Sequence, residues 1–161
     1  MEFLRNRLMI TAVSAWGIAQ IIKTIIDFSL CKKVHFERLI GAGGMPSCHS
    51  STVCSLATMS ALTFGLGSFQ FAFAGVLAII VMYDASGVRR ETGNQAILLN
   101  EMMEAFKKLE TQEQKVKFSQ EKLKEFVGHT PFQVFVGAVL GIVLALLLYF
   151  LVFTKYPFFA M

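Results

Sequence analysis

Three short polar stretches in this 161-residue chain carry residue types that can do chemistry, and each stands at the mouth of an apolar run. The first is Gly43-Gly44-Met45-Pro46-Ser47-Cys48-His49-Ser50-Ser51, the second Asp84-Ala85-Ser86-Gly87-Val88-Arg89-Arg90, and the third Gly128-His129-Thr130-Pro131. In the first, two glycines and a proline end one element, and Ser50 or Ser51 is a natural N-cap for a helix that breaks into its apolar run at Thr52. A helix start leaves backbone N–H groups open and attracts anions. A histidine there suits work on a phosphate: the Ser47 hydroxyl and the amides hold oxygens while the His49 imidazole moves a proton. Together, His49, His129, Arg89, Arg90 and Asp84 are the set needed for phosphoryl transfer through histidine. One imidazole attacks phosphorus, the other protonates the departing oxygen, and the arginines neutralise the equatorial oxygens.

Plainer readings stand beside these. His49 can be incidental to a membrane-helix cap. Asp84 and one arginine can form an ion pair that closes a helix, since adjacent arginines usually face different ways. A metal site from Cys48, His49, Asp84 and His129 lacks metal-ligand spacing, so no metal or other cofactor is expected. Cys31, Cys48 and Cys54 are odd in number with no CxxC pair, and read as reduced packing cysteines.

The elements that must position these residues are membrane helices. With 55% hydrophobic and 16% charged residues, the chain is too apolar for a soluble domain. No linker or repeat divides it, so residues 1–161 form one domain. A net charge of +4 does not point to nucleic acid, because the basic residues lie in loops beside apolar spans, where topology and anionic lipid account for them. The fold class is therefore an all-α polytopic membrane bundle, with apolar segments at about 8–30, 52–64, 69–83 and 131–153. In the first segment Gln20, Lys23 and Asp27 share one helical face, which points inward. Lys23 then serves the site or pairs with Asp27. The second and third segments are short and joined only by Gly65-Leu66-Gly67-Ser68. They make a thin spanning or a re-entrant hairpin, with Ser55, Ala57, Ser60 and Ala61 meeting Ala72, Ala74 and Gly75.

Residues 84–128 form the one long hydrophilic region. Leu98, Met102, Phe106 and Leu109 recur at helical spacing, and Thr111 with Gln114 can restart a second helix, giving an amphipathic hairpin on the solvated surface or over the site. Lys32, Lys33, Arg38, Arg89, Arg90 and six lysines between Lys107 and Lys124 share one face of the membrane, against Arg5, Arg7 and Lys155 on the other. The positive-inside rule makes the first face, and the active-site loops with it, cytoplasmic.

Pro46-Ser47-Cys48-His49 resembles the P-S-G-H motif of the type 2 phosphatidic acid phosphatases, which share a helical fold with vanadium-dependent haloperoxidases. Gly128-His129-Thr130-Pro131, with Val134, Gly137, Ala138 and Gly141, resembles their third motif. The order GGMPSCHS, MYDASGVRR, GHTP is similar to the family's divergent bacterial and plant subfamily and covers most of the chain. The resemblance implies a bacterial plasma-membrane phosphatase acting on a lipid phosphate or prenyl diphosphate, without cofactor, with His129 as nucleophile and His49 as general acid. Three departures accompany it. The first motif is absent, since Lys23 is followed seven residues later by Leu30 rather than by Arg-Pro. The Ser-Arg before the nucleophile is replaced by Lys122 and Lys124 nearby. Gln133 stands where the family has the aspartate that orients the imidazole. Lys23, Arg89 and Arg90 are expected to replace the missing phosphate ligands, and Asp84 the missing carboxylate. The alternative is a lipid-phosphate binder or carrier that kept the pocket and lost turnover. Oligomeric state has no signature in the chain.

Overall fold

The computed structural model describes residues 5–31, 44–109, 123 and 128–155. Among these residues the regular structure is all helical: α1 Arg7–Cys31, α2 Cys48–Phe64, α3 Phe69–Ser86, α4 Val88–Leu109 and α5 Pro131–Leu148, the last continued by a π-helical turn at Tyr149–Phe153. Lys32, Lys33, Arg38 and the expected second helix of the hydrophilic hairpin, from Thr111 on, lie outside the described residues.

The bundle is built around α2. Helices α1, α3 and α5 all pack on it, and its serines face the interior: Ser50, Ser51, Ser55 and Ser60 are buried. A helix enclosed by protein need not be apolar all round, because hydroxyls can find partners there, although Ser60 Oγ has none among the described residues. Ser51 Oγ donates to the Ala15 carbonyl of α1 at 3.3 Å, and Ser55 Oγ to the Thr52 carbonyl at 2.8 Å. Beside the serines, Val53 and Cys54 pack against Ala78, Val81 and Met82 of α3 and Ala138 of α5.

Three helical stretches are long and apolar enough to cross a membrane: Arg7–Ser29, Phe69–Phe106 and Pro131–Phe153. Their outward faces carry Val13, Trp16, Ile21, Ile25, Phe73, Ile79, Ile80, Phe135 and Val139, all exposed, as lipid contact requires. The protein is an integral membrane protein. Helix α2 has 17 residues, about 25 Å at 1.5 Å per residue, short of the roughly 30 Å hydrocarbon core. Of the four apolar segments read from the sequence, this one is the shortest and stands at the lower limit of spanning length. Its hairpin partner has the length because α3 runs to Ser86 and, after the single residue Gly87, continues as α4.

The start of α2 differs from expectation. The N-cap is Ser47 rather than Ser50 or Ser51, and the helix begins at Cys48 rather than Thr52. Ser47 Oγ accepts from Ser50 N at 3.4 Å and from Ser50 Oγ at 3.1 Å, so Ser50 is bound to the cap it was expected to form. The expected packing of α2 on α3 forms, with Ser55, Ser60 and Ala74 buried, but the tightest approach lies elsewhere. A Cβ on Gly75 would meet nothing within 4 Å, whereas one on Gly137 would fall 2.4 Å from the Ser47 carbonyl oxygen and one on Gly141 2.2 Å from that of Ser51. The tight contact is thus α2 on α5, through glycines four apart, the spacing that lets helix backbones touch. The amphipathic α4 forms as expected, yet Leu98, Met102 and Phe106 are exposed, while Gly93, Ala96 and Asn100 make its buried face.

Candidate active site

Helix directions bring the three polar stretches to one end of the bundle. Ser47 lies by Gly137 and Ser51 by Gly141, so α2 and α5 run parallel and start side by side. The Ser47 N–H donates to the Gln133 carbonyl at 3.2 Å, fastening the two starts together. Helix α1 runs antiparallel to α2: Cys48 Sγ donates to Gln20 Oε1 at 3.2 Å one turn from the Ser51 contact with Ala15. Two helix N-termini, each with a positive dipole end, therefore meet the C-terminal parts of α1 and α3.

His49, in the first turn of α2, and His129, just before α5, have ring centroids 6.3 Å apart at an interplanar angle of 63°. His129 is the better fixed. It is 2% exposed, and its N–H donates to the Ala85 carbonyl at the end of α3 at 3.1 Å. Its Nδ1 lies 3.3 Å from Gln133 Oε1, an oxygen that also accepts from Thr130 N at 3.1 Å. Thr130 Oγ1 returns a bond from Gln133 N, completing a capping box with Pro131 in the first turn. Because the second donor to Gln133 fixes its oxygen towards the ring, and an amide oxygen only accepts, Nδ1 carries the proton and the Nε2 lone pair is left for chemistry. Nε2 is buried with no hydrogen-bond partner among the described residues. Burial is the main influence holding this imidazole below its ordinary pKa, with His49 and Lys23 acting in the same sense. The Gln133 bond and a weaker interaction with the Gly44 backbone oppose it, the latter outside hydrogen-bond geometry at Nε2.

Lys23 faces the interior near the two histidines. It continues the buried stripe Ala12, Ala15, Ala19 of α1 and is 6% exposed. Its charge acts on Cys48, His49 and His129. The Gly44 backbone lies on its stem, where a Cβ would be 3.1 Å from Lys23 Cε. Gly44 takes φ +96°, a conformation that favours glycine.

The remaining expected residues are placed differently. Asp84 does not stand in for the missing aspartate beside His129. Its Oδ2 accepts from Arg89 Nε at 2.6 Å across the Gly87 break, with the side chains 39% and 43% exposed respectively. That pair lies near His49 instead, which feels both charges. Arg90 has an exposed side chain and contributes its backbone: a Cβ on Gly128 would fall 2.2 Å from Arg90 Cα. Ser47 is buried, with its hydroxyl engaged in the helix cap. Sequence reasoning did not assign the Ala85 carbonyl, the Gly128 contact, or Asn100, whose side chain bonds the Leu123 backbone. The last had a legible signal in a polar residue on a stripe of small ones, Gly93-Ala96-Asn100.

Fold and geometry define a class: integral membrane helix bundles in which two histidines from neighbouring helix starts meet at one end. Residues 4–144 match the Divergent PAP2 family, and the chain belongs to it. It is 39% identical over 153 residues to the uncharacterized membrane protein YuiD of Bacillus subtilis (strain 168), covering 92% of this chain and 97% of that protein. No solved structure matches the chain.

Proposed function

We propose that the protein is a metal-independent phosphatase that hydrolyses a lipid phosphate monoester or a prenyl diphosphate through a phosphohistidine at His129. The observation that carries this reading is the histidine pair at 6.3 Å, with His129 held as the Nδ1–H tautomer by Gln133. An attacking nitrogen about 3–3.5 Å from phosphorus and a donor about 2.6–3.2 Å from the leaving oxygen fit between rings at that separation. Nε2 of His129 attacks phosphorus and the bond to the leaving oxygen breaks as His49 gives that oxygen its proton. A water activated by the now neutral His49 then attacks phosphorus, the P–N bond breaks, and inorganic phosphate leaves. Lys23, Arg89 and the first-turn amides of α2 balance the phosphoryl charge. The incoming dianion offsets the two cations beside His49 and so favours its protonated form. Since Nε2 is buried, phosphate binding requires the groups that cover it to give way.

A second reading, a lipid-phosphate binder or carrier, is favoured by that buried Nε2 and by the neutral Gln133 at the orienting position. Phosphate release by purified protein in detergent with EDTA separates the two. The phosphatase reading expects release from phosphatidate, phosphatidylglycerophosphate or a prenyl diphosphate, lost in His129→Ala. Retained vanadate binding with no release from any of them supports the binder.

A further inference from the structure

We infer that Asn100 is a positioning residue for His129, clamping from α4 the backbone of the segment that delivers the histidine to the site. Its Nδ2 donates to the Leu123 carbonyl at 3.0 Å, and the Leu123 N–H donates to its Oδ1 at 3.1 Å. A carboxamide presents donor and acceptor side by side, so it can pair with both backbone groups of one residue as a neighbouring strand would. Asn100 is 6% exposed and lies with Ala96 and Gly93 on a buried face of α4. A second fixed point follows lower on the same helix, where Gly128 closes on the backbone of Arg89 and Arg90 so tightly that no Cβ fits. The third is the His129 N–H on the Ala85 carbonyl of α3. Helices α3 and α4 thus act as a rail on which the segment is tied at Leu123, Gly128 and His129.

The rail supplies what the capping box cannot. Thr130 and Gln133 hold the imidazole from the α5 side alone, whereas its depth depends on how the preceding chain arrives. A displacement of about 1 Å at a reacting atom costs on the order of a hundredfold in rate. That catalytic consequence rests on the proposed role of His129; the placement itself does not.

Modification by diethyl pyrocarbonate, followed residue by residue by mass spectrometry of the purified protein in detergent, tests the placement without needing turnover. Two variants are compared with the wild type. Asn100→Ala removes the clamp. Asn100→Asp keeps the shape and the acceptor for Leu123 N–H but sets a carboxylate oxygen against the Leu123 carbonyl. The buried His129 of the wild type should react more slowly than the half-buried His49. Both variants should raise the His129 rate by about tenfold or more while leaving His49 within about twofold, as a local opening would. An unchanged His129 rate in Asn100→Asp, or equal acceleration at both histidines, overturns the inference. Where the wild type turns over an aryl phosphate, the variants should lower kcat with KM nearly constant, because Lys23 and Arg89 are untouched; a raised KM with unchanged kcat counts against it. A wild type without turnover would sink the phosphatase reading and leave the labelling result to decide this one.

Discussion

Gln133 is the residue on which the chemistry of His129 turns. Burial is the larger influence and holds the His129 pKa below its ordinary 6.5, and the Gln133 oxygen, which fixes the tautomer, opposes this with only one uncharged hydrogen bond. A depressed pKa in a required base extends activity downward in pH: the acid limb of kcat/KM should fall below pH 6.5. Gln133→Glu keeps the acceptor for Thr130 N and adds a charge beside Nδ1. It should move the limb upward by about 1 to 3 units, the effect of an opposite charge in contact. A pH profile identical to that of the wild type would remove His129 from the nucleophile's role. At this scale the two histidines and Lys23 were legible, because motif spacing and a charge inside an apolar run are local signals. The fate of Asp84 was not. Its partnership with Arg89 depends on the one-residue break at Gly87, which spacing along a continuous helix does not reveal. Ser47 was read as a phosphate ligand because it precedes the histidine, and that same place makes it the cap.

Among the elements, the contact of α2 with α5 sets the site, since it brings the two helix starts together. Gly141→Ala would put a Cβ 2.2 Å from the Ser51 carbonyl oxygen, so the helices must separate. The cost should be about 1–3 kcal/mol, as for other overpacked contacts. Gly75→Ala meets open space and should leave the melting temperature in detergent unchanged or slightly higher. Equal melting temperatures for the two variants would contradict the close crossing. The helices themselves were readable from their apolar runs and caps. Which faces touch was not, because small residues occur on both sides of the hairpin and only the packed arrangement singles out Gly137 and Gly141. Helix α4 shows the same limit: its periodic Leu98, Met102 and Phe106 marked it as amphipathic, but not that the side packed on the protein would be Gly93, Ala96 and Asn100.

For the whole molecule, membrane residence was written in composition, and one short central helix with three longer ones around it explains why a fourth apolar segment looked incomplete. The positive-inside rule predicts the orientation from the basic loops. A cysteine introduced at the exposed Asn94 should be protected from an impermeant reagent in intact cells, and one at Lys155 should react. The reverse pattern would invert the topology and put the histidine pair on the outer face.

The direct test of the histidine pair is to catch phosphorus on the protein. An aryl phosphate has a leaving group that departs without a proton, so loss of His49 should spare attack by His129 and slow only the release that needs His49 as a base. Purified His49→Ala, mixed with labelled aryl phosphate in EDTA and quenched in alkali, should accumulate acid-labile phosphate on the peptide containing His129. His49→Ala/His129→Ala should accumulate none. Label on His49 in a His129→Ala protein would exchange the roles. No label on either histidine, with full turnover in both single variants, would contradict phosphoryl transfer through this pair.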